Sequence, residues 1–202
     1  MKSKALIIIV IIVVVLAVFV FGTLLWGVGT YNSLVSMDEG VKSAWGQVEN
    51  QYQRRYDLIP NLIETVKGYA SHEKEVLEEV TKARASVGQL NVTPEVLNDP
   101  AAFKRFQQAQ DGLSSALSRL LVVTENYPNL KANENFLALQ SQLEGTENRI
   151  AVERRRFNEV VQGYNTKLRR FPGSIVASMT GFTARPYFEA QQGAEQAPKV
   201  KF

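Results

Sequence analysis

One histidine, His72, and no cysteine among 202 residues narrow the available chemistry at once. His72 precedes Glu73 and Glu75. Neither His-Glu-x-x-His nor a pair of Glu-x-x-His turns accompanies it, and a di-iron bundle needs two histidines with four inward carboxylates. His72 therefore reads as a solvated residue at a helix start. Without cysteine there is no disulfide framework, lipid-modified cysteine, thiol nucleophile or sulfur-ligated metal centre. Ser-His-Asp catalysis would need a serine presented on a Gly-x-Ser-x-Gly turn, which the chain lacks, and no glycine-rich phosphate loop replaces it. Glu78 and Glu79 are neighbours, about 100° apart around a helix, which suits solubility better than paired acid–base work. The expectation is a non-enzyme with no catalytic residue, metal or cofactor.

The remaining charged residues of interest are arginines. Lys+Arg total 23 against 20 Asp+Glu, and two of the lysines, Lys2 and Lys4, precede an apolar N-terminus. The rest is nearly neutral, so no basic face for nucleic acid is expected. Arg154-Arg155-Arg156 spreads around most of a helix and reads as a solvated face rather than a lipid or partner site.

These residues must be carried by something, and the first element is apolar. From Ala5 to Phe21 every side chain is Ala, Leu, Ile, Val or Phe, and no charge occurs between Lys4 and Asp38. About 20 helical residues cross the roughly 30 Å hydrocarbon layer. Trp26 and Tyr31 fall where aromatic rings prefer the bilayer edge. A cleaved signal peptide would have a shorter apolar run and a small-x-small site, so a retained anchor is the expectation. Lys2 and Lys4 place the N-terminus in the cytoplasm and the body outside, in the periplasm if there are two membranes.

Beyond the anchor, steps of four and three residues from Leu34 give Asp38, Val41, Trp45, Val48, Tyr52, Arg55, Ile59, Leu62, Val66 and Tyr69. Such a stripe predicts a long helix packed in a bundle, with a kink or break near Asp57–Pro60, where proline removes a backbone donor. Ser71 is expected to cap a second helix. Asp99 with Pro100 opens a third, which Tyr127-Pro128 stops. A fourth is expected from about Ala132 to Arg170, with a stripe of Phe136, Leu139, Leu143, Thr146, Ile150, Glu153, Phe157, Val160, Tyr164 and Leu168. The predicted fold is all-α: a transmembrane helix followed by an elongated antiparallel up-and-down four-helix bundle. Its parts are a basic tail at 1–4, an anchor at 5–28, a bundle at 30–190 and a disordered tail at 191–202.

If Leu34 and Leu168 lie level in an antiparallel pair, Arg55 falls opposite Glu147. Such a pair fixes register more than it adds stability, because desolvation offsets the attraction. Alternatively, Arg54, Arg55 and Asp57 form a docking surface beside Pro60.

The segments Tyr31-Asn32-Ser33-Leu34-Val35, Arg54-Arg55-Tyr56-Asp57-Leu58-Ile59-Pro60-Asn61-Leu62, Val66-Lys67-Gly68-Tyr69-Ala70-Ser71-His72-Glu73, Glu125-Asn126-Tyr127-Pro128-Asn129-Leu130-Lys131-Ala132 and Thr146-Glu147-Asn148-Arg149-Ile150-Ala151, in this order behind an anchor, resemble the bacterial LemA family. Tyr52 and Tyr56, flanking the double arginine, depart mildly from its pattern. The resemblance extends to Gly181-Phe182 and Tyr187-Phe188-Glu189. It implies a single-pass membrane protein with a four-helix bundle and no established enzymatic activity. Some members are encoded near membrane proteases, and magnetosome-membrane proteins are similar to the family.

Past Pro172, apolar residues sit among Gly and Pro. Phe182, Tyr187 and Phe188 could rest at the lipid interface, in a neighbouring subunit, or on their own bundle. Gly22, Gly27 and Gly29 would allow close helix approach in the membrane. The functional expectation is a scaffold or adaptor in the inner membrane that binds the bilayer, its own copies or a membrane-protein partner. The alternative is an accessory subunit of a membrane enzyme such as a protease.

Overall fold

The computed structural model describes residues 2–70, 72–90 and 93–189, and the side chains of all of these except 2–6 and 8. Ser71 and the tail at 191–202, on which two expectations fall, lie outside the described residues. The chain is all-α. Helix α1 is Lys2–Lys67, α2 Lys74–Gly88, α3 Pro100–Thr124, α4 Pro128–Lys131, α5 Glu134–Arg169 and α6 Gly173–Thr180, with a 3-10 turn at Pro94–Asn98 before α3. Cα packing divides the described residues into two units, 2–41 with 162–184 and 42–161 with 185–189.

The 66 residues of α1 form one helix. The glycines at 27 and 29 do not interrupt it, so the apolar run passes directly into the amphipathic stripe. Of the stripe residues, all from Leu34 to Val66 are buried, and only Tyr69, beyond the helix end, is exposed.

Helix α1 also continues through Pro60, so of the kink or break expected there the break does not occur. Proline leaves the carbonyl four residues back without its N–H donor. That carbonyl belongs to Tyr56, and Arg84 Nε donates to it from α2 at 3.3 Å. The Arg84 guanidinium also lies 3.8 Å from the centre of the Tyr56 ring, a cation–π contact. Pro60 itself is exposed, so its ring meets water rather than a packed neighbour. Replacing Arg84 with Ala is expected to cost about 1 kcal/mol, and less in a Pro60→Ala background, where residue 60 supplies its own N–H. Equal losses in both backgrounds, measured by thermal unfolding, would contradict this compensation.

Within the unit at 42–161 and 185–189 the helices run up and down. Trp45 meets Phe157, with ring centroids 5.8 Å apart, while Arg55 meets Glu147, so α1 and α5 are antiparallel. Trp45 also meets Phe103 and Phe106 and Arg55 meets Gln110 and Ser114, which makes α1 and α3 parallel. Helix α2 opposes α3, since Glu73 Oε1 accepts from Tyr127 Oη at 2.7 Å and Glu79 pairs with Arg119 at 2.7 Å. The shared core includes Ile59, Leu62 and Val66 from α1, Leu77 and Val80 from α2, Leu113, Leu117 and Leu120 from α3, and Phe136 and Leu143 from α5. Each such side chain contributes about 1.5–3 kcal/mol on leaving water.

Helix ends follow local chemistry in part. Asp99 Oδ1 accepts from Ala101 N at 2.9 Å and Pro100 takes the first helical position, as expected. By contrast, α2 starts at Lys74 after Glu73, whose side chain makes no cap bond. The third helix ends at Thr124, just before the expected Tyr127-Pro128 stop, and Pro128 opens the one-turn α4.

In the unit at 2–41 and 162–184, Leu34, Asp38 and Val41 are buried along with Tyr164, Asn165 and Ala177. Tyr164 Oη donates to Thr183 O at 2.9 Å. Helix α6, which the sequence reading did not foresee, ends at Gly181, whose φ of 80° is the left-handed turn favoured by glycine.

Candidate functional site

The most polar enclosed point of the bundle is Arg55, 1% exposed. Its Nη1 donates to Glu147 Oε1 at 2.7 Å and Ser114 Oγ at 2.6 Å. Its Nη2 donates to Gln110 O at 3.3 Å and to Gln110 Oε1. Arg55 must lie inside because it continues the apolar stripe of α1, and Gln110 and Ser114, four residues apart on α3, lie one above the other on the facing helix. Glu147 is 39% exposed, so the guanidinium is the desolvated partner.

Burial separates the predicted docking residues. Arg54, Asp57 and Pro60 share the outer face of α1, with Gln53 Nε2 donating to Asp57 Oδ1 at 2.8 Å. Arg55 points the other way and cannot belong to that surface. Arginine 154, read as part of a solvated run, is also mostly inward: it pairs with Asp111 at 3.3 Å and lies 4.5 Å from the centre of the Phe188 ring. Arg155 and Arg156 remain exposed. Gln110, Ser114, Arg84 and Arg154 were missed as partners. The available signal was Arg154's place one residue beyond Glu153 on the α5 stripe.

An open cleft of about 340 Å³ flanks this network, lined by Glu49, Tyr52, Gln53, Tyr56, Gly88 and Gln110, among others. Burial raises the Glu49 carboxyl above its ordinary value. Tyr52 is pushed up to about 12, mainly by burial; Arg154 and Arg55 partly offset this, while Asp111 and Glu147 add to it. A phenol held neutral this firmly is a poor base near neutral pH. Its Oη is buried without a hydrogen-bond partner. An unfolded Tyr52 ionises near 10 while the folded one stays neutral to about 12. Its contribution is therefore intact below pH 10 and lost, by about 2–3 kcal/mol, as pH rises from 10 to 12. Tyr52→Phe is expected to remove this alkaline loss at little cost near neutrality, read from unfolding temperatures across pH 7–12. An unchanged alkaline slope would contradict it.

Among the described residues no group of three or more His, Cys, Asp or Glu is placed to hold a metal ion. His72 is exposed.

Of the residues assigned to the lipid interface, Trp26 and Tyr31 are exposed. The Tyr31 ring lies 5.8 Å from that of Phe182. Tyr187 is also exposed, but Phe188 is not an interface residue. It packs against Trp45, Phe103 and Phe157, with its backbone held by Asn158: Phe188 N donates to Asn158 Oδ1, and Asn158 Nδ2 to Phe188 O, both at 2.9 Å.

The model of the LemA family matches residues 44–202, a stretch that contains the stripe from Trp45 onward, the Arg55 network and the aromatic core. The chain belongs to the LemA family. This LemA-family chain is 26% identical to magnetosome protein MamQ 2 of Paramagnetospirillum magneticum and to magnetosome protein MamQ of Magnetospirillum gryphiswaldense, covering 82% of its own length in each case. It spans just under two thirds (66%) of the length of those relatives. It is 22% identical to protein LemA of Metamycoplasma hominis, over 82% of this chain and 71% of that one. With the apolar half of α1, long enough to cross a membrane and unburied, the LemA-family chain is a membrane-associated helical protein.

Proposed function

We propose that this chain is a scaffold or adaptor of the inner membrane that works by binding, to its own copies or to other proteins, rather than by catalysis. Its N-terminus lies in the cytoplasm and its bundle on the far side. The observation that carries this reading is the single helix α1, which holds an unburied apolar run and a deeply buried bundle stripe without a break. Such an element ties a protein body to a bilayer. The arginines that drew attention as possible chemistry are occupied in packing, Arg55 with Gln110, Ser114 and Glu147 and Arg154 with Asp111.

Purification of the full chain in mild detergent, with mass from light scattering and co-purifying proteins from mass spectrometry, tests it. A homo-oligomer, or a complex with non-enzymatic proteins, is expected. A partner-free monomer would overturn the proposal. A stoichiometric membrane enzyme would replace it with the accessory-subunit reading.

A further inference from the structure

Helix α6 packs by its small residues and turns its large apolar ones outward. Its small residues, Gly173 and Ala177, are the buried ones. Ile175 and Met179, four positions apart in the helix, are 51% and 81% exposed, and Phe171, two residues before it, is 72% exposed. A surface helix in water turns its apolar stripe inward and its polar residues outward. Here a Cβ on Gly173 would collide with the Lys167 carbonyl oxygen at the end of α5. The glycine thus allows α6 to seat closely by its small face, leaving the large side chains outward. Beside the exposed Ser174, two outward hydroxyls are satisfied within the helix: Ser178 Oγ donates to Ile175 O at 2.8 Å and Thr180 Oγ1 to Val176 O at 2.6 Å. Neither needs water, which suits a lipid-facing element.

The apolar face also continues a surface already assigned to lipid. The Phe171 ring lies 5.3 Å from that of Trp26, the residue that closes the apolar run of α1, and Arg169 and Arg170, both exposed, immediately precede it. Exposed apolar side chains beside a Trp and a basic pair are the composition of an element lying in the headgroup region.

We infer that α6 is a membrane foot: Phe171, Ile175 and Met179 enter the leaflet beside the anchor, and Arg169 and Arg170 reach its headgroups. This rests on reading the apolar run as an anchor. Because the chain has no cysteine, single labels report each position cleanly. The full chain, as Ile175→Cys, Met179→Cys, Val15→Cys within the anchor or Val122→Cys on exposed bundle surface, is labelled with an environment-sensitive fluorophore. It is then reconstituted in phosphatidylcholine vesicles containing phosphatidylglycerol, with and without brominated lipid. Blue-shifted emission that brominated lipid quenches is expected at 175, 179 and 15, and neither effect at 122. Quenching at 15 but not at 175 and 179 would overturn the foot while leaving the anchor intact. A blue shift at 179 without quenching would mean that protein covers this face and would also overturn it. Loss of quenching at 15 as well would sink both readings.

Discussion

Arg55→Ala is expected to destabilise the bundle by about 3–5 kcal/mol, and Arg55→Met by less, since it leaves no large cavity. The difference follows from what each change leaves behind. Alanine deletes one of the largest fully buried side chains and opens a cavity. Both changes strip the buried Gln110 Oε1 and the Ser114 hydroxyl of their donor, so the difference between them lies in the cavity. Glu147, more than a third exposed, can turn to water, so the penalty falls on the α1–α3 side of the pair. Methionine keeps most of the stem volume and removes a guanidinium whose desolvation cancels much of its attraction, and whose Nε has no partner. At roughly 2–4 °C per kcal/mol for a chain of this size, Arg55→Ala should lower the unfolding temperature by about 10 °C. Equal losses for alanine and methionine would show that the ionic contacts, rather than the buried volume, hold this layer.

Trp45→Ala should have a comparable effect, about 3–5 kcal/mol. The indole is fully buried, and its ring lies 5.3 Å from Phe106, 5.8 Å from Phe103 and Phe157, and 6.1 Å from Phe188. One side chain therefore joins α1 to α3, α5 and the segment following α6. Its Nε1 has no hydrogen-bond partner, so the loss is one of packing. Trp45→Phe keeps an aromatic ring and should cost less than half as much. Far-ultraviolet circular dichroism during heating reads both variants without depending on the deleted fluorophore. A Trp45→Ala loss below about 1 kcal/mol would show that the cluster does not organise the core.

The stripe of α1 was legible because a period near 3.5 held over five heptads, and burial then followed residue by residue, polar Asp38 and Arg55 included. Helix α5 shows where that reading weakens. A straight helix drifts about 20° per heptad against a strict seven-residue repeat. After Phe157 the inward position accordingly moves from Val160, which is exposed, to Val161, which is fully buried. Setting Leu34 level with Leu168 put Arg55 opposite Glu147, where the structure has the ion pair at 2.7 Å. Its register role remains a proposal that the Arg55 variants address.

What could not be read depended on contacts between distant segments. Pro60 signals a break only if nothing supplies the missing donor, and the sequence does not reveal that Arg84 comes to the Tyr56 carbonyl. Phe188 lies in a segment without helical period, and its burial depends on Asn158, 30 residues earlier. Helix α6 is short and carries its large apolar residues outward, so a search for inward stripes passes over it.

The claim that this chain acts by association is tested most directly in the membrane itself. A chain labelled at Val122→Cys, extracted with its surrounding lipid into polymer-bounded discs without detergent, can be counted by single-molecule photobleaching, and the disc contents identified by mass spectrometry. More than one bleaching step per disc, or one step with a non-enzymatic protein partner, is the predicted result. Single steps in discs containing no other protein would contradict it.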